Sequence, residues 1–99
     1  MTALATPTAT IPDSIWMPGG EEPSVYRGSP LEMVRTMASE MGLAEDTRSA
    51  VTSLLDALAS NRHVKITIRG SNHLDERTLA QAFVQALLVS GLARPLPHA

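Results

Sequence analysis

A small two-layer α+β domain is the fold class this sequence predicts, with a two- or three-stranded sheet packed on helices. Three observations point to it. Residues 74–92, LDERTLAQAFVQALLVSGL, read as one helix with clear signals at both ends; two further stretches carry amphipathic helical periodicity; and residues 64–69 alternate as a strand does. The predicted order is β-α-α-β-α, with a short C-terminal edge strand admitted at residues 92–96.

Residues 1–23 differ in kind from the rest. Pro7, Pro12, Pro18 and Pro23 interrupt any periodic pattern, so a flexible N-terminal arm is predicted there. The arm carries an apolar cluster, Ile11, Ile15, Trp16 and Met17, which includes the one Trp of the chain. Such a cluster has two uses: to order on the surface of another protein, or to fold back on its own domain. The domain itself is placed at residues 24–97.

Ser24, Val25, Tyr26 and Arg27 form a short strand stopped by Gly28. Ser29 is then an N-cap, with Pro30 at the first helical position and Glu32 three residues on, which is the capping-box pattern. Leu31, Met33, Val34, Met37, Ala38 and Met41 make the apolar arc of this helix, and Gly42 ends it. Methionine at i, i+4 and i+8 suits either a plain core face or an adaptable docking surface.

Glu45, Asp46 and Thr47 supply the cap and first turn of a second helix running through Ser60. Ala50, Val51, Leu54, Leu55, Ala57 and Leu58 form its wide apolar face, and Asn61 is the expected left-handed stop. In the strand that follows, Val64, Ile66 and Ile68 face a core while Lys65, Thr67 and Arg69 face away.

The last helix begins at Asp75, whose carboxylate can accept from the free amides of Arg77 or Thr78. Leu74 and Leu79 sit where a hydrophobic staple forms, and Glu76 complements the helix dipole. Gly91 supplies the left-handed close, and Pro95 prevents continuation. Leu79, Phe83, Ala86 and Leu87 form a central stripe, widened by Ala80, Ala82, Val84, Leu88 and Val89. Thr78, Gln81 and Gln85 are the only polar strip. A helix apolar nearly all round needs cover on several sides. It is too short and too polar for a membrane span, which takes roughly 20 apolar residues.

A chain of 99 residues makes one domain, and one this size buries only about 60% of its unfolded surface. Self-association, most simply a twofold homodimer, is therefore the expected way to finish covering the last helix, through Ala82, Val84, Leu88 and Val89. A formal net charge of −2 gives no general attraction to nucleic acid or an acidic membrane. Without cysteine there is no disulfide or thiolate site. The first ten residues have neither a basic region nor a long apolar run, so a cytoplasmic protein is expected.

Little in the sequence points to chemistry. Ser71, His73 and Asp75 alternate and would project together from an extended segment, but each suits a turn or a cap equally well. His63 and His73 are two ligands at most, and no phosphate loop or nucleophile elbow occurs. No cofactor, no metal and no catalysis are expected. The predicted role is a non-catalytic adaptor, regulatory or structural subunit that pairs with itself and docks another protein through the arm. The alternative is a nucleic-acid-binding module using Arg62, Lys65 and Arg69, since no acidic residue occurs between Asp56 and Asp75.

Overall fold

The computed structural model describes residues 2–5, 12, 14–17, 24–42 and 46–95. Among these the chain forms strands β1 (Thr2–Ala5), β2 (Ser14–Met17) and β3 (Ser24–Arg27), helices α1 (Pro30–Glu40) and α2 (Thr47–Arg62), strand β4 (Lys65–Ile68), helix α3 (Glu76–Ser90) and the short strand β5 (Arg94–Pro95). It is a small α+β domain whose strands pack against its helices.

Local signals fix the helix ends. Ser29 accepts from the Glu32 amide at 3.2 Å, Asp46 from the Ser49 amide at 3.0 Å, and Asp75 from the Thr78 amide at 2.7 Å. Gly91 closes α3 in the left-handed conformation, and the Ala93 amide returns to the Leu87 carbonyl at 3.0 Å. One stop falls elsewhere than the sequence predicts. α2 runs past Asn61 to Arg62, and His63 takes the left-handed position at φ 55°. The two extra helical residues leave only His63 and Val64 between α2 and β4.

The strands form two sheets. β2 lies between β3 and β5, antiparallel to both, with Ile15 opposite Tyr26 on one side and Pro95 on the other. The proline therefore sits on an edge, where its missing N–H removes no ladder bond. β1 pairs in parallel with β4, Ala3 opposite Ile66. Two of these strands lie in the region expected to be a flexible arm. The reason is visible in β2: Ile15 is fully buried and joins the core, so burial of this side chain favours a fixed segment.

α3 is the centre of the core. α1, α2, β1 and β4 all pack on it, and Leu79, Ala80, Ala82, Phe83, Val84, Ala86 and Leu87 are buried. The helix thus finds most of its cover inside one chain. Phe83, Ile15, Met33, Leu87, Val34, Val51 and Val84 are the largest fully buried side chains.

Glu76, at the start of α3, ties the helices together. Its Oε1 accepts from the buried Thr47 hydroxyl at 2.7 Å and lies 3.5 Å from the Arg35 guanidinium. Arg48 donates to the carbonyls of Ser71 (2.6 Å) and Leu74 and so holds the turn before α3 against α2.

Candidate functional site

α2 is the helix left incompletely covered. Its first half buries Thr47, Ala50, Val51 and Leu54, but Leu55, Ala57 and Leu58 are only half-buried and Ala59 is exposed. Besides a hollow of about 170 Å³ lined by Arg48, Val51 and Leu55, two hollows border this apolar surface.

The larger is a groove of about 590 Å³ between α2 and β4. Leu55 and Ala59 form the helix wall, and Val64 and Ile66 the strand wall; Asp56 and Lys65 stand on opposite sides of it. His63, left-handed at the corner where α2 turns through Val64 into β4, also lines the groove. β4 has β1 on one edge, and among the described residues no backbone hydrogen bond reaches its other edge. β4 packs on both α2 and α3, while β1 packs on α3. A parallel pair of strands is also a weak unit, usually covered on both faces and extended by further strands. Here Lys65 and Thr67 leave the outer face of β4 exposed.

The smaller hollow, about 200 Å³, lies between α1, α2, β2 and β3 and is lined by Met17, Met37, Met41, Leu58 and Phe83, with Tyr26 beside them. The Tyr26 hydroxyl donates to Glu40 Oε1 at 2.5 Å. Burial, together with that neighbouring carboxylate, raises the Tyr26 pKa to about 12.

The residues expected to mediate self-association are split. Ala82 and Val84 are fully buried within one chain and cannot meet a second copy in this fold; Leu88 is half-buried, and Val89 is 60% exposed. The sequence pattern overstated the need for outside cover because β1, which supplies part of it, lies in the region read as a flexible arm. Of the arm residues, Ile11 lies outside the described residues. Ile15 is buried, Met17 lines the smaller hollow, and Trp16 is half-buried with the Arg94 guanidinium 5.5 Å from its ring centre. Ile15 therefore serves the core and does not present a docking surface.

The basic set is also divided. Lys65 and Arg69 are exposed beside β4, but Arg62 ends α2 and lines the smaller hollow. Ser71 and His73 lie in a single 3₁₀ turn, so the side-by-side projection that an extended segment would give them is lost, and Asp75 is engaged with Thr78. Among the described residues no three His, Cys, Asp or Glu side chains gather as a metal site, and no helix is long and apolar enough to cross a membrane.

Sequence reasoning missed the groove. Its one signal was the breadth of the α2 apolar face, where Leu54, Leu55, Ala57, Leu58 and Ala59 exceed what one buried stripe needs. No family model, no curated protein and no solved structure matches the chain.

Proposed function

We propose that this protein is a non-catalytic interaction subunit that pairs with a second copy of itself through the α2–β4 side. The observation that carries this reading is that β4, which among the described residues has a backbone partner on one edge only, also forms one wall of an apolar groove. An unpaired edge offers backbone donors and acceptors to an incoming strand. Leu55, Ala59, Val64 and Ile66 offer apolar area at the same place. Burying both together supplies the directional and non-directional parts of a protein interface.

Binding of nucleic acid through Arg62, Lys65 and Arg69 has less support. Two cations remain together beside β4, and each phosphate neutralised adds only one increment to affinity.

Light scattering tests the self-association. The expected mass is that of a dimer at about 50 μM protein, a concentration that populates weak interfaces. Ala59→Glu, at an exposed position in the groove, is expected to weaken the dimer at least tenfold, about 1.4 kcal/mol, with the melting temperature of the monomer unchanged. A monomeric wild-type protein at that concentration overturns the reading.

A further inference from the structure

The methionines that the sequence places at i, i+4 and i+8 along α1 end in different surroundings. Met33 is fully buried, Met37 is 5% exposed, and Met41, the residue that caps the helix, is 50% exposed. We propose that Met41 is a reversible oxidation site, converted to its sulfoxide by hydrogen peroxide while the domain stays folded.

The chain has no cysteine, so peroxide meets no thiolate and its sulfur chemistry falls on the thioethers. Along α1 the reagent then has three chemically equal targets, and access decides among them. A lone pair on the Met41 sulfur attacks one oxygen of the peroxide. The S–O bond forms as the O–O bond breaks, and the departing hydroxide takes the proton of the new S–OH group and leaves as water. Sulfur is oxidised by two electrons and the peroxide is reduced by two, so no further reactant is needed.

The corner that holds Met41 suits this chemistry. The Met41 amide donates to the Ala38 carbonyl at 3.1 Å, which fixes the backbone without using the side chain. Beside it, Gly42 is left-handed at φ 73°, with open space where a side chain would stand. Met41 also lines the smaller hollow, together with Met17, Met37 and Phe83. The thioether thus has an apolar wall on one side and water on the other. Oxidation adds a polar oxygen to a side chain already half in solvent, and the fold tolerates it. The same oxygen on Met37 or Met33 would be an acceptor buried without a partner. Methionine sulfoxide is a substrate for reductases, and an exposed corner admits one, so the change at Met41 can be undone.

The test treats the folded full-length protein with hydrogen peroxide and follows each methionine by mass. Cleavage after arginine and glutamate puts Met33, Met37 and Met41 on separate peptides. Sulfoxide is expected at Met41 at least about tenfold faster than at Met37 or Met33, and the difference should vanish in urea, where the three are equally exposed. Protein oxidised at Met41 alone is expected to melt within about 4 °C of the untreated protein, as a surface substitution would. A methionine sulfoxide reductase with dithiothreitol should then restore the original mass. Met41→Leu should remove the fast product and leave the other two rates unchanged. Sulfoxide forming at Met37 or Met33 as early as at Met41 in the folded protein overturns the site. Loss of the cooperative melt on oxidation of Met41 alone, or a sulfoxide that the reductase leaves in place, overturns its reversibility in the folded domain.

Discussion

Among the described residues, Tyr26 is the one whose surroundings shift its titration furthest. It is 8% exposed, and its hydroxyl donates to Glu40. Burial first, and the carboxylate second, lift its pKa from 10.0 to about 12. Below pH 10 the phenol is neutral in both folded and unfolded chains. Above it the unfolded chain ionises first, so the contribution of this group to stability is lost as pH rises from 10 to about 12. Urea denaturation across that interval is expected to show wild-type stability falling more steeply than that of Tyr26→Phe. At pH 7 the same variant is expected to lose about 1 kcal/mol, the net worth of one hydrogen bond. Parallel pH curves for the two proteins would contradict this. Contacts of this kind are not legible in a sequence, because Tyr26 and Glu40 are fourteen positions apart and belong to different elements. The cap at Asp75 was legible, since its partner Thr78 is three positions on. Hydrogen bonds from the Thr78 hydroxyl first, and from its amide second, hold the Asp75 carboxyl below the usual carboxylate range, as the Ser49 amide chiefly does for Asp46.

Among the elements, α3 shows how far a hydrophobic pattern can be trusted. Its nearly all-round apolar surface correctly marks it as central. Which residues remain outside is decided by its neighbours: Ala82 is fully covered and Val89 is 60% exposed. Ala82→Leu should therefore overfill the core and cost about 1–3 kcal/mol, whereas Val89→Ser should change stability by less than about 0.5 kcal/mol. Thermal denaturation at two protein concentrations checks both. An Ala82→Leu penalty that appears only where the protein is dimeric would place that side chain in an interface after all. Thr47, Arg35 and Glu76 show the same limit on a smaller scale, because a hydrogen bond joining the starts of α2 and α3 leaves no periodic trace.

At the scale of the whole molecule, the first 23 residues carry strands that both sheets use. β2 is the middle strand of one sheet, and β1 is the only partner of β4 among the described residues. Ile15→Ala is expected to destabilise the whole domain by about 2–5 kcal/mol, the usual consequence of emptying a core site. That is a large fraction of the roughly 5–15 kcal/mol that holds a domain folded. Chemical denaturation measures it, and a loss below about 1 kcal/mol would mean that β2 is peripheral.

The sequence by itself determined what depends on neighbours a few positions away. The helices and their N-caps, the glycine closing α3, the alternation of β4, and the edge position of Pro95 were all readable from local spacing. Only the tertiary structure decided what depends on distant segments meeting. It drew Thr2–Ala5 alongside Lys65–Ile68, put Ile15 in the core, hid Ala82 and Val84, left the second half of α2 partly exposed and, among the described residues, gave β4 a strand partner on one edge only. The physical reason is that apolar periodicity records how much cover a surface requires, while the segment that supplies the cover is selected by competition among all apolar surfaces of the chain.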